Sequence, residues 1–179
     1  MAQFARSKFC PSLEFFNMKF FLLLSVLLLS ACATVRPTAK VETTPALVIN
    51  DPALTQELAT YAQSLIGTPY KYGGESPATG FDCSGYAREV FYHSVGVKLP
   101  RTTKEMSQAG QHVDTGDLQL GDLVFFDTLK KKFSHVGIYI GDDSFIHAPS
   151  KGGKVRVEKM SDVYWKNSYN GARRINVKN

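Results

Sequence analysis

The chain changes from loop to helix within residues 80–85, Gly80-Phe81-Asp82-Cys83-Ser84-Gly85. A glycine-rich loop at 73–80 precedes this point, and side chains at helical spacing follow it. We predict a helix that begins at Asp82, runs to about Ser94 and ends at Gly96. Its buried stripe would contain Ala87, Val90, Phe91 and Ser94. Cys83 therefore falls in the first turn of this helix.

The position of Cys83 indicates a nucleophile. The first turn of a helix presents unpaired N–H groups and the positive end of the dipole, so we expect a lowered pKa for the thiol. A thiol nucleophile needs a base, and we expect His135 to pair with Cys83 while His147 bonds the other ring nitrogen. Two alternatives stay open: an ordinary packed cysteine, and a zinc site formed with the two histidines. No CxxC or HxxxH spacing supports zinc.

Helices are predicted before this stretch and strands after it. Asp51 and Pro52 begin a first helix as its cap and first residue, and Thr102 begins a short third helix that ends near Gly110. Short β-rich segments follow, at 123–126, 136–140, 145–148, 155–158 and 172–175. Helices followed by an antiparallel sheet predict an α+β domain.

The two histidines impose a condition on the hairpin that carries them. Their spacing is even, and a two-residue turn at Asp142 and Asp143 would place them on opposite faces of an ideal hairpin. Contact between the rings requires a bulge, a strong twist or an odd-length loop. We predict such an irregularity near His135.

The N-terminal segment is typical of export. A short apolar run at 20–29 follows Lys19 and precedes small residues, which predicts a signal peptide over residues 1–31. The segment Leu29-Ser30-Ala31-Cys32 resembles a bacterial lipobox, so we expect acyl chains on Cys32 and a membrane anchor there. An ordinary signal peptide is the alternative. Met18 gives a more usual signal length than Met1.

Beyond the anchor, the chain divides into a tether and one domain. Residues 32–50 are aperiodic and contain Thr and Pro, which predicts a lipidated N-terminus and a flexible tether, with the domain over residues 51–179. Ala33 favours the periplasmic face of the outer membrane, by similarity to other lipoproteins. The net charge of +5 is mild and no basic stripe with aromatics occurs, so nucleic acid is not an expected partner.

Several chemically capable residues are assigned ordinary roles. We expect His93 and His112 on the surface, residues 130–132 (three lysines) in a solvated loop, and Asp142 with Asp143 in a turn. Cys10 lies before the predicted export signal and Cys32 is assigned to lipidation. Cys83 is then the free thiol of the domain, and a structural disulfide is not expected.

Taken together, these segments resemble the NlpC-type cell-wall endopeptidases, a branch of the papain-like cysteine peptidases, and above all their single-domain lipoprotein members. The resemblance extends from about Leu54 to Ile175, which is the whole domain. The matching segments are 67–74 (GTPYKYGG), 80–85 (GFDCSG), 99–102 (LPRT), 121–126 (GDLVFF), 134–141 (SHVGIYIG), 145–148 (FIHA), 164–165 (YW) and 173–174 (RR).

The resemblance implies a fold and a set of roles. The fold is the papain-like α+β core, with N-terminal helices packed on a small antiparallel sheet. Cys83 is implied as nucleophile, His135 as base, His147 as orienting residue and Tyr70 as a donor to the oxyanion beside the Cys83 N–H. A core aromatic is the alternative for Tyr70, since Tyr72 is nearby. The residues implied to hold substrate near the cleft are Asp82, Ser84 and Arg101.

The resemblance also implies a reaction. Such enzymes hydrolyse peptide bonds that involve diaminopimelate in peptidoglycan stem peptides or cross-links, through an acyl-enzyme on the cysteine. No metal or other cofactor is required, and we expect a monomer. Two alternatives stay open: a thiol amidase or acyltransferase on the same fold, and a wall-binding lipoprotein without catalysis.

Overall fold

The computed structural model describes residues 51–128, 130–150 and 153–176. The predicted signal peptide, Cys32 and the tether lie outside these residues. None of the helices in the described ranges has the length and hydropathy needed to cross a membrane. The elements in chain order are α1 (Pro52–Ser64), β1 (Glu75–Ser76), β2 (Gly80–Phe81), α2 (Cys83–Val95), α3 (Thr103–Met106), β3 (Gln111–Val113), β4 (Leu123–Phe126), β5 (His135–Gly141), β6 (Ser144–His147), β7 (Arg156–Lys159), α4 (Val163–Ser168) and β8 (Tyr169–Arg174).

All three predicted helices are present, and Asp51 and Thr102 cap theirs as predicted. The Asp51 carboxylate accepts the Ala53 N–H at 2.8 Å, and the Asp82 carboxylate accepts the Gly85 N–H at 2.6 Å. The stripe predicted for α2 is buried throughout, and the helix ends on Gly96 with a φ of 68°. Helix α3 has the expected capping box but ends at Met106, one turn earlier than predicted.

The strands form one antiparallel sheet of six in the order β3-β8-β4-β5-β6-β7. All five predicted strands belong to it, and β8 begins three residues earlier than predicted, at Tyr169. The two-residue strands β1 and β2, together with β3 and α4, are too short to leave a periodic pattern in the sequence. The α+β class is confirmed.

The two faces of the sheet pack against different partners. On one face, Phe125 and Ile138 join Phe91 of α2 in the larger core, which also buries Leu58 of α1. On the other face, Phe126 and Phe145 pack with Trp165 of α4 in a smaller cluster. Both faces of β4 are buried, as its four consecutive apolar residues require.

The β5–β6 hairpin contains the irregularity that the two histidines require. Gly141 pairs with Ser144 around a two-residue turn, in which Asp142 and Asp143 have φ values of 47° and 58°. The register then shifts between Tyr139 and Gly141. One extra residue in β5 reverses the parity of the pairing, which brings both histidines to the same face of the sheet. The irregularity lies beside the turn and not near His135, so its predicted position was wrong.

Candidate active site

A cleft of about 400 Å³ lies where the start of α2 meets the start of β5. It brings together six of the seven residues predicted for the reaction or for substrate. His147 is the seventh, and it lies behind the wall of the cleft, bonded to His135. The lining residues are Tyr70, Tyr72, Gly73, Asp82, Cys83, Ser84, Arg101, Thr102, Thr103, Thr128, Ser134, His135 and Ser150.

Cys83 is the first residue of α2, and its side chain is half-buried against the larger core. Burial raises the pKa of the thiol to about 11, against the N–H groups of Val136, Ser84 and Cys83 itself, which lower it. The N–H groups at the helix start therefore lower the pKa of Cys83, as predicted, but desolvation raises that pKa by more. The prediction of a lowered pKa was wrong, because it left out the packing around the sulfur.

His135 and His147 are in direct contact. Nε2 of His135 and Nδ1 of His147 are 2.6 Å apart, and the two rings are nearly perpendicular. Burial lowers the pKa of His135 to about 4, and burial together with the charges of His135 and Arg156 lowers that of His147 to about 2. Both rings are neutral near pH 7. Because Nε2 of His135 is occupied, Nδ1 is the nitrogen available to Cys83.

Trp165 encloses the histidine pair from α4. Its ring lies 5.6 Å from that of His135 at an interplanar angle of 26°, and it meets His147 edge-on at 4.9 Å. Only 7% of the Trp165 surface is exposed. An aromatic wall of this kind fixes the ring orientation and keeps water from the His135–His147 bond. The sequence analysis assigned Trp165 no role, although it is the only tryptophan of the chain and lies in the matching segment 164–165.

The residues predicted to hold substrate form a network beside Cys83. Arg101 donates to Asp82 at 2.6 Å and to the Ser84 hydroxyl at 2.7 Å, and Ser84 donates to Asp82 at 3.0 Å. Burial would raise the pKa of Asp82, but the hydrogen bonds from Arg101, Gly85 and Ser84 hold it below its usual range. The Gly73 N–H also donates to this carboxylate, at 3.1 Å. These groups line the cleft while they fix the start of α2.

The two tyrosines of the cleft differ in exposure. Tyr70 is half-buried, and its N–H donates to the Gly153 carbonyl at 2.8 Å, which fixes the backbone there. Burial, followed by the charges of Cys83 and Asp82, raises the pKa of Tyr70, so its hydroxyl keeps the proton that it would donate. Tyr72 is 89% exposed at the rim. Of the two, only Tyr70 is partly enclosed by the protein.

The remaining polar residues occupy the positions expected of them. His93 and His112 are exposed, with the ring of His93 stacked on Tyr61 at 3.8 Å. The lysines at 130–132 are exposed. Within the described ranges, no group of three or more His, Cys, Asp and Glu side chains is arranged to hold a metal ion.

Residues 67–174 match the NlpC/P60 family. Two curated relatives are 41% identical to the chain: murein DD-endopeptidase MepH of Escherichia coli over 113 residues, and gamma-DL-glutamyl hydrolase of Bacillus subtilis over 115. The alignments cover 62% and 64% of this chain, but only 42% and 28% of those proteins. The crystal structure of an NlpC/P60 family protein from Bacillus cereus is 36% identical, with a TM-score of 0.63 over 69% of this chain and 40% of that one.

Proposed function

Because this chain belongs to the NlpC/P60 family, we propose that it is a cysteine-dependent hydrolase that cleaves peptide bonds in peptidoglycan. The observation that carries the proposal is a single cleft lined by both Cys83 and His135, with His147 bonded behind the imidazole. Acyl transfer through a thioester requires a thiol and a base in one site, with the base held in orientation. Cys83, His135 and His147 then act as nucleophile, base and orienting residue.

The first half of the reaction forms the acyl-enzyme. Since burial raises the pKa of Cys83 and lowers that of His135, the resting site holds a neutral thiol and a neutral imidazole. The thiol proton passes to Nδ1 of His135 as the sulfur attacks the carbonyl carbon, so the ion pair exists only during attack. The carbonyl oxygen becomes an oxyanion that accepts from the Tyr70 hydroxyl and the Cys83 N–H. The latter has no partner within the helix, because it lies in the first turn.

The second half returns the enzyme to its resting state. His135 gives its proton to the amine nitrogen as the carbon–nitrogen bond breaks, which leaves a thioester on Cys83. Water then attacks the thioester carbon while His135 takes a proton from it. Collapse of this intermediate releases the carboxylic acid and restores the thiol, with His135 returning the proton to sulfur.

The proposed substrate is a stem peptide or cross-link bond that involves diaminopimelate. The name of one relative, a murein DD-endopeptidase, supports a peptide bond in murein, and the name of the other, a gamma-DL-glutamyl hydrolase, supports a bond to glutamate. The exposed rim at Tyr72 and the polar wall formed by Asp82, Ser84 and Arg101 suit a peptide that carries both charges and amides. These three residues form the proposed substrate contacts.

Digestion of purified peptidoglycan, followed by mass spectrometry, tests this function. We expect new muropeptide ends with the wild-type protein and none with Cys83→Ala, and the masses identify the bond. Release of intact stem peptides from the sugar would identify an amidase instead. No cleavage by either protein would contradict hydrolysis and favour a wall-binding lipoprotein.

The location of the enzyme is part of the proposal. A lipid on Cys32 would hold the domain at the periplasmic face of the outer membrane, with residues 33–50 as its tether. Support comes from the lipobox-like segment that ends at Cys32 and from Ala33 after it. Mass spectrometry of the N-terminal peptide and membrane fractionation, each compared with Cys32→Ser, test this part. Unacylated Cys32 in a soluble fraction would contradict it.

A further inference from the structure

The histidine pair admits two arrangements of its shared proton. With 2.6 Å between Nε2 of His135 and Nδ1 of His147, one of these nitrogens donates and the other accepts. If His135 donates, its Nδ1 is bare and can take the Cys83 proton. If His147 donates, Nδ1 of His135 already carries a hydrogen and cannot act as a base. Only the first arrangement is productive.

The far nitrogen of His147 distinguishes the two arrangements. In the productive one, Nε2 of His147 carries a hydrogen, and in the other it is a bare lone pair. His147 is fully buried, and this atom has no hydrogen-bond partner among the described residues. An Oε1 atom of Glu158 lies 4.0 Å from it. A group that accepts but never donates is therefore adjacent to the atom that decides the tautomer.

We propose that Glu158 is a positioning residue that holds His147 in the productive tautomer and, through it, leaves Nδ1 of His135 free to act as base. A carboxylate stabilises an N–H that points at it and repels a lone pair. Its charge also stabilises the imidazolium that forms when Cys83 attacks. The inference rests on the proposed function of His135, but the tautomer itself can be measured without turnover.

The sheet places Glu158 where this role requires it. Strand β7 pairs with β6 so that Arg156 lies opposite His147, and Glu158 lies opposite Phe145, two residues away on the same face. The Glu158 side chain is 21% exposed, so water screens its charge only in part. Arg156 donates from Nε to the same Oε1 at 2.6 Å, which fixes the carboxylate.

The other groups around His147 leave Glu158 as the acceptor. Strand β5 contributes His135, and strand β7 contributes Arg156, whose charge lowers the pKa of His147. Helix α4 presents the uncharged Trp165 and strand β6 the uncharged Phe145, while the charged residue of α4, Lys166, lines a separate pocket. In the part of the chain that the structure describes, Glu158 is the only carboxylate within 4.0 Å of a nitrogen of either ring.

Glu158→Gln tests the proposal, with Glu57→Gln as the matched control. Glu57 is an exposed carboxylate on α1, outside the cleft. Nitrogen-15 NMR of histidine-labelled protein should show His147 protonated at Nε2 in the wild type and in Glu57→Gln. In Glu158→Gln we expect a mixture of tautomers, because the amide donates as well as accepts. Glu158→Asp should restore part of the wild-type pattern.

Kinetics on muropeptides give a second readout. We expect Glu158→Gln to lower kcat roughly 10-fold with KM unchanged, since the residue acts on proton transfer and not on binding. The acid limb of kcat/KM should move to lower pH, because the imidazolium loses a negative neighbour. Arg156→Gln should move the acid limb to higher pH, because the imidazolium then loses a positive neighbour.

The outcomes separate this inference from the proposed function. An unchanged tautomer and unchanged kcat in a folded Glu158→Gln protein would overturn the role of Glu158. A fall in kcat without change in tautomer or acid limb would also overturn it, since that pattern reports only altered packing. A wild-type protein that hydrolyses no muropeptide contradicts the proposed function, while the NMR result still decides the tautomer.

Discussion

The two sides of the cleft differ in how their polar groups are satisfied. On the side of α2, both oxygens of Asp82 accept hydrogen bonds, and Arg101 joins them to the Ser84 hydroxyl. On the side of β5, the rings of His135 and His147 lie among aromatic side chains, and Nε2 of His147 has no partner among the described residues. The nucleophile side is held by hydrogen bonds, while the base side is held by packing.

This difference indicates which kind of change each side tolerates. A hydrogen-bond network around a helix start is redundant, because several donors serve one carboxylate. A buried imidazole pair depends on a single bond and on the exclusion of water. Changes to the base side should therefore affect catalysis most, whereas changes to the nucleophile-side network should affect stability first.

The largest expected effect is that of removing the base. His135→Ala should lower kcat/KM on muropeptides by on the order of 10³-fold or more, because the neutral thiol then has no proton acceptor. The double variant with Cys83→Ala should be no worse than Cys83→Ala alone. Losses that multiply in the double variant would show that the two residues do not act as a unit.

Tyr70→Phe should have the next largest effect. Loss of one oxyanion donor typically costs about 3 kcal/mol of transition-state stabilisation, so kcat should fall on the order of 100-fold. The free energy of unfolding should stay nearly unchanged, since the ring remains. Tyr92→Phe is the matched control, because this exposed tyrosine of α2 lies outside the cleft and the variant should retain full activity. Equal activity of the two variants would remove Tyr70 from the oxyanion site.

As the pH falls, the buried His135 on the base side should lose its contribution to stability before the Asp82 network is affected. The folded-state pKa of His135 is lowered from 6.5 to about 4, so its contribution to stability is present above the unfolded pKa and is lost as the pH falls. Between about pH 7 and about pH 5 this loss is about 2 kcal/mol. Denaturant titrations of the wild type and of His135→Asn at both pH values measure this loss as the difference between the two proteins.

The control for acid destabilisation is the exposed His93, with His135→Asn as the test. His135→Asn should reduce the slope of unfolding free energy against pH and leave the part due to the buried His147, whereas His93→Gln should leave the slope as in the wild type. An unchanged slope in His135→Asn would show that other groups cause the acid sensitivity.

A loss of stability of the same order is expected from breaking the Asp82 network. Asp82→Ala removes a helix cap, worth about 1 kcal/mol, and leaves Arg101 without this carboxylate, so we expect about 2 kcal/mol of destabilisation in denaturant unfolding. Asp51→Ala removes a comparable cap from α1 without such a network and should cost about 1 kcal/mol. Equal losses would mean that the bonds to Arg101 add nothing to stability.

The parts of the fold predicted correctly are those that depend on neighbours in the chain. The cap at Asp51, the helix start at Asp82 and the capping box at Thr102 depend on groups within three residues. The apolar face of α2 and the apolar runs of β4 and β5 were also predicted, because these regular elements are buried and their apolar residues recur at a regular spacing. The elements missed were short ones, such as β1, β2 and α4, whose few residues cannot express a period.

The active site likewise has features that depend on neighbours in the chain and features that depend on tertiary packing. The sequence by itself determined that Cys83 begins a helix, that β5 and β6 each carry a histidine, and that their hairpin must be irregular for contact. Only the tertiary structure decided where the register shifts, that Trp165 encloses the pair, and that Glu158 approaches His147. It also reversed the expected pKa shift of Cys83, because desolvation depends on every group packed around the sulfur, and the helix start supplies only its own N–H groups and dipole.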